Sequence, residues 1–242
     1  MSKIFATTSG KGGVGKSSVA TGLGLAFSHL GHRVLLVDMD EGLRCLDLLL
    51  GVEGEAVLDL SDALTTPDIS DIAYPCKVEG LFLLPAPTKN NVVTPDALQD
   101  FCQKAESFYD IIIFDFPAGI DFTLYEALPC KTVFICVATP DPVSVRDASF
   151  VGAKLSKLGL TARLIINRFN LKTHFKRKQK NIDGIIDAST IRLLGIVPES
   201  DEITLLSLRH RLKVRKKPFK AFLRISNRLL DKNIPLEKLR KI

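Results

Sequence analysis

Short apolar runs alternate with amphipathic stretches along the chain. Runs rich in Val, Ile, Leu and Phe fall at residues 4–7, 33–38, 81–85, 110–115, 132–138, 162–167 and 193–197. Several are almost continuously apolar, the pattern of a parallel strand covered on both faces. Between them, helical spacing of apolar positions marks 16–30, 95–107, 141–158 and 218–230. Asp141-Pro142 is a helix start, with an acceptor at the N-cap and proline at the first helical position. Such alternation predicts an α/β fold: a doubly wound, mostly parallel sheet with helices on both faces. No repeat, low-complexity tract or linker interrupts it, so a single domain over residues 1–242 is expected.

The first strand-to-helix junction carries the chemistry. Gly10-Lys11-Gly12-Gly13-Val14-Gly15-Lys16-Ser17 fits G-x-x-x-x-G-K-[ST] in full. Glycines let the backbone wrap a phosphate with its N–H groups inward, and the N-terminus of the following helix adds a positive dipole end. Lys16 is expected to reach the β- and γ-phosphates of ATP, and the Ser17 hydroxyl to ligate Mg²⁺. Ser18 extends this nucleotide-binding stretch. Lys11 is a further cation that a plain P-loop does not require.

Acids follow at the ends of two strands. Asp38 and Asp40 end the second, where ligands bind in open α/β sheets. Asp40 is placed to orient or deprotonate water, and Asp38 to hold the Mg²⁺ shell. Asp115 closes the apolar run 110–115 in a Walker B pattern and is expected to hold the metal's waters.

Lys11 and the rest of the loop make the chain resemble the MinD/ParA family of deviant Walker A P-loop ATPases, whose motif is KGGxGK[ST]. The segment from Val37 to Asp47 is similar to the switch I of its MinD branch, with Cys45 where that branch usually has Asn. Phe116-Pro117-Ala118-Gly119-Ile120 resembles its switch II, and Thr139 to Ala148 its TxPExxSVRDAD segment. Ile166-Asn167-Arg168 and Gly195-Ile196-Val197-Pro198-Glu199 are similar to the two elements that enclose adenine in that family. The resemblance runs in order from Lys3 to about residue 230.

It implies a P-loop fold of the SIMIBI type and a homodimer formed on Mg-ATP, with Lys11 reaching the partner's nucleotide. It also implies slow hydrolysis that awaits an activating protein partner, and release from a surface afterwards. Asn167 and Arg168 on one side and Pro198 on the other would hold the base.

Charge decides which surface is in question. From Asp201 onward thirteen Lys and Arg face four acids, a balance of +9 in a chain whose net charge is +6. A basic C-terminal helical segment, about residues 207–242, on a mildly acidic body suggests a polyanionic partner. In MinD-like proteins that partner is the anionic inner face of the cell membrane, reached by a short amphipathic tail, and the cargo is the cell-division machinery. Here helical spacing would put Leu236, Leu239 and Ile242 on one face beside Lys238, Arg240 and Lys241. In ParA-type segregation ATPases the partner is DNA, bound non-specifically, and two basic clusters suit that reading as well. They are Lys172 with Lys176, Arg177, Lys178 and Lys180, and the run 209–217. A nucleotide-gated adaptor is a third reading. His174 and His210 are expected to be solvated members of these clusters.

No run approaches the ~20 apolar residues that span a bilayer, and the chain opens straight into the glycine-rich loop without a signal sequence. A cytoplasmic protein, peripheral at most to the membrane, is expected. The five cysteines form no C-x-x-C pair, which predicts reduced, buried thiols rather than a zinc or iron–sulfur site.

Overall fold

The computed structural model describes residues 2–41, 43–89, 91–119, 122–175 and 181–237. Its strands are β1 (Lys3–Thr8), β2 (Val34–Asp38), β3 (Tyr74–Pro75), β4 (Leu81–Leu84), β5 (Ile111–Asp115), β6 (Val133–Ala138), β7 (Thr161–Phe169) and β8 (Leu193–Pro198). They form one eight-stranded sheet in the order β3-β4-β2-β5-β1-β6-β7-β8. Only the two-residue β3 runs antiparallel to its neighbour. The expected doubly wound, mostly parallel sheet is therefore present, and the seven apolar runs are its parallel strands.

Helices cover both faces: α1 (Lys16–His29), α2 (Leu46–Leu50), α3 (Leu60–Thr65), α4 (Pro95–Ala105), α5 (Phe122–Ala127) and α6 (Pro142–Lys157). They continue with α7 (Leu171–Phe175), α8 (Ile182–Ser189), α9 (Asp201–Thr204), α10 (Leu206–Arg209) and α11 (Lys217–Leu229). The capping chemistry explains the starts. Asp141 accepts from the Ser144 N–H ahead of α6, with Pro142 in its first turn. Asp59 and Asp62 form a reciprocal capping box at α3.

Period-2 alternation sends each strand to two cores. In β1 and β5, Ile4, Ala6, Ile112 and Phe114 face one layer with α3 to α6 and α8. Phe5, Ile111 and Ile113 face the other, beneath α1 and α11. On that second face the helices touch closely. A Cβ on Gly22 of α1 would lie 2.4 Å from the Phe222 ring of α11.

Two expectations need correction. The His210 ring is not a solvated cluster member; it packs on Gly51, where an added Cβ would lie 2.4 Å from it. His174 likewise sits 5.4 Å from the Phe169 ring. The thiols also differ in setting: Cys102 and Cys136 are buried, Cys45 and Cys76 half-buried, and Cys130 exposed. Burial pushes the thiols of Cys76, Cys102 and Cys136 up to about 12. None of the described helices is long and apolar enough to cross a membrane.

Candidate nucleotide and metal site

β1 ends in the centre of the sheet, and the loop that follows is shaped by positions only glycine suits. Gly13 and Gly15 have φ of 76° and 90°, left-handed values that favour glycine. A Cβ on Gly10 would sit 2.9 Å from Asp147 Cβ on α6, and one on Gly15 2.5 Å from Asn167 Nδ2. Gly12 passes over Ala118 of the switch II segment. Gly15 is also the N-cap of α1, and its side-chain-free cap leaves the first-turn N–H groups open to a ligand.

Three strand ends meet beside this loop. Asp38, Asp115 and Thr7 stand in adjacent register on β2, β5 and β1. Asp115 is 2% exposed and accepts from the Thr7 hydroxyl at 2.6 Å. Burial lifts its pKa to about 7, against the pull of the Ser17 and Thr7 hydroxyls and with the neighbouring Asp38 charge adding to the rise. Lys16 is itself buried, which lowers its pKa, while Asp115 and Asp40 oppose that drop. Burial likewise raises Asp40, with Lys16 pulling it back. A buried carboxylate with a hydroxyl beside it and a second acid in the next strand suits a hard cation with oxygen ligands. Ser17 and Asp115 fit Mg²⁺ on that ground.

Asp38 has a further task. Its Oδ1 accepts from the Asp40 N–H at 3.0 Å, and its Oδ2 from the Cys45 and Leu46 N–H groups at 2.9 and 3.0 Å. It therefore ties down switch I and caps α2. Cys45 lies inside the site beside Ser17, its thiol pushed up by burial. Arg44, at φ 23°, is fixed by its bond to the Ala86 carbonyl at 2.9 Å and its pairing with Asp59 at 3.3 Å.

Lys11 projects from the loop with 46% of its side chain exposed, and its Nζ is 4.0 Å from Asp141 Oδ1 of the same chain. Asn167 is 2% exposed, and its Nδ2 donates to the Val14 carbonyl at 2.8 Å. One amide donor is thus committed to the phosphate loop. Asn167, Arg168, Pro198 and Ser18 nonetheless line a single cavity of about 320 Å³, closed by Leu49, Ile203 and Thr204. Those last three were not singled out in the sequence; Ile203 and Thr204 follow the Pro198-Glu199 element closely enough to have been suspected.

A second cavity, of about 550 Å³, lies between the switches, bounded by Asp40, Glu41, Pro117, Gly119 and Asn91. Glu41 accepts from the backbone N–H groups of Asn91, Val92 and Val93 at 2.5, 3.1 and 3.1 Å. Nothing in the sequence pointed to Glu41 or Thr7 as site residues. Gly42 of switch I and Ile120 of switch II lie outside the described residues, as do Lys176, Arg177, Lys178, Lys180 and residues 238–242 of the basic clusters and tail.

A doubly wound sheet with a lysine-bearing P-loop at its centre and acids at the flanking strand ends defines a P-loop nucleotide-binding protein. The profile of the CobQ/CobB/MinD/ParA nucleotide binding domain matches residues 5–214, and the chain belongs to that family. The septum site-determining protein MinD of Synechocystis sp. is 33% identical over 97% of this chain and 92% of its own length. MinD in a MinC:MinD cell division protein complex from Aquifex aeolicus superposes with a TM-score of 0.85 at 29% identity, covering 98% of this chain and 99% of that one. The MinD of Pyrococcus horikoshii complexed with Mg-ADP gives a TM-score of 0.82 at 26% identity, over 97% of this chain and all (100%) of the other.

Proposed function

We propose that the chain is a MinD-like ATPase that dimerises on Mg-ATP, holds the inner membrane surface as a dimer, and lets go after hydrolysis. The observation that carries the proposal is the convergence of Lys16, Asp40, Asp115 and Ser17 on one phosphate loop. Backbone N–H groups of the loop and the α1 N-terminus bind the phosphates, and Lys16 offsets their charge. Asp40 orients the attacking water from the second strand end. Ser17, Asp38 and Asp115 would hold Mg²⁺ and its waters, and the ion when bound supplies charge neutralisation at the phosphoryl oxygens. Asn167 Oδ1, left over once Nδ2 is spent on Val14, accepts from the adenine amino group, while Arg168 and Pro198 flank the base.

The membrane role rests on the basic C-terminus and its tail, and on the MinD likeness of the body. Two weak anchors in one dimer bind as a strong one, which makes attachment depend on ATP. Recruitment of a protein partner that positions cell division, like the MinC bound to the Aquifex aeolicus protein, is the matching cargo.

The deciding experiment is sedimentation of Asp40→Ala with anionic vesicles in ATP and in ADP. Pelleting in ATP alone is the expected result. Absence of pelleting in both nucleotides, with salt-sensitive binding to duplex DNA, would replace this reading by the ParA-type one.

A further inference from the structure

The sheet has a second concave site at the end away from the phosphate loop. The loop leaves the C-terminal end of β1, whereas this cavity, of about 400 Å³, opens where β6, β7 and β8 begin. Arg163 of β7, Arg192 just before β8 and Lys232 just after α11 all line it.

Its charge balance is unusual. Asp231 also lines the cavity, but Lys3 Nζ holds its carboxylate at 2.5 Å. Arg228 is spent on scaffolding: it donates to the carbonyls of Leu194, Ile234 and Pro235 at 2.7, 2.8 and 2.6 Å. Among the described residues, Arg163, Arg192 and Lys232 form no ion pair with a carboxylate. Arg163 gives one N–H to the Ala162 carbonyl and keeps the rest.

Isolated surface cations are ordinarily just solvated, but these three are mounted on fixed backbone around a hollow. The Arg192 carbonyl is held by the Leu164 N–H at 2.9 Å, and Arg228, four residues before Lys232, bonds the Ile234 and Pro235 carbonyls beyond it and Leu194 of β8. Two arginines and a lysine lining one cavity supply the donors that match the several oxygens of a phosphate group, which Arg binds bidentately. The volume exceeds what one bare phosphate needs and accommodates a small esterified group.

We propose that this cavity is a binding site for a phosphate ester, remote from the nucleotide, held by Arg163, Arg192 and Lys232. The same chemistry is offered by an anionic phospholipid headgroup and by a soluble phosphate ester. The lipid source follows from position: Asn233 and Ile234 line the cavity and lead directly into the basic tail. That source rests on the membrane reading given above; the phosphate site itself does not.

The test uses the full chain with its nucleotide site saturated with Mg-ADP, and glycerol 3-phosphate as the probe. The expected result is saturable movement of the Arg163 and Arg192 side-chain Nε–H signals by NMR. In Arg192→Gln/Lys232→Gln, whose changes lie on exposed side chains, affinity falls about tenfold or more. A thermal melt like that of the parent verifies folding of the variant. In a second arm, sedimentation in Mg-ATP compares phosphatidylglycerol with phosphatidylcholine vesicles. A variant that needs about tenfold more phosphatidylglycerol supports the headgroup as ligand. Unchanged sedimentation alongside lost glycerol 3-phosphate binding supports the site with a soluble ester as its ligand. Glycerol 3-phosphate binding by a parent chain that pellets with no vesicle supports the site and defeats the membrane reading alone. Guanidinium signals that do not move, or a variant that binds glycerol 3-phosphate as the parent does, would overturn the proposal.

Discussion

Asn167, at the end of β7, donates its side-chain amide to the Val14 carbonyl 153 residues earlier, at 2.8 Å. The element assigned to the base therefore also braces the phosphate loop, so the two halves of a nucleotide site are built on each other. Asn167→Ala should weaken ATP and ADP binding alike by about tenfold or more, the loss of the bond to the base together with a buried bond that leaves the Val14 carbonyl unpaired. Titration with fluorescent ATP and ADP checks this; a loss confined to one nucleotide would contradict it.

Gly15 leaves no room for a side chain, since φ is 90° and a Cβ would meet Asn167 Nδ2 at 2.5 Å. Gly15→Ala should abolish measurable nucleotide binding yet leave the fold intact by circular dichroism. Gly22→Ala is the structural counterpart: the Phe222 ring must move, at a cost of about 1–3 kcal/mol in urea unfolding, with nucleotide affinity retained.

Asp40→Ala should bind ATP, form dimers, and lose hydrolysis by about 100-fold or more in a phosphate-release assay. Normal turnover would remove Asp40 from the mechanism. Lys11→Ala should retain nucleotide but fail to dimerise in ATP by light scattering. Its Nζ lies 4.0 Å from Asp141 Oδ1 of its own chain here.

Asp115 gives a pH dependence. Its pKa is raised from 3.8 to about 7, so between those values the native state without metal holds a proton that the unfolded chain has released. Its contribution to stability therefore falls as pH rises from about 4 to 7, and is flat above. Asp115→Asn should remove that slope, leaving the variant more stable than the parent at pH 8 by up to about 4 kcal/mol and nearly equal to it at pH 4. Thermal melts across that range decide the matter; in the parent, Mg²⁺ should narrow the gap, because it favours the ionised acid.

Cys45 is half-buried beside Ser17 in the site, whereas Cys130 is exposed. Mg-ATP should slow maleimide labelling of Cys45 several-fold and leave that of Cys130 unchanged, as peptide mass mapping would reveal.

The strands were legible as nearly continuous apolar runs, and the four long helices because each carries the helical period over eleven residues or more. Helix α2 was not: its five residues are held by Asp38 through the Cys45 and Leu46 N–H groups, a contact made in three dimensions. Helices α3 and α8 did have readable starts, at the Asp59–Asp62 box and at Asn181. The phosphate loop and its acids could be read because their spacing is local. The ties between Asn167 and Val14 and between Glu41 and the 91–93 backbone join distant parts of the chain, where no sequence period reports them.

The last of these ties has a mechanical meaning. Glu41 follows Asp40 directly and is moored at three points to a surface segment 50 or more residues away. The backbone next to Asp40 is thus tied through a side chain to the far wall of the cavity between the switches. Loss of the Glu41 carboxylate would release residues 91–93 and the backbone beside Asp40 together.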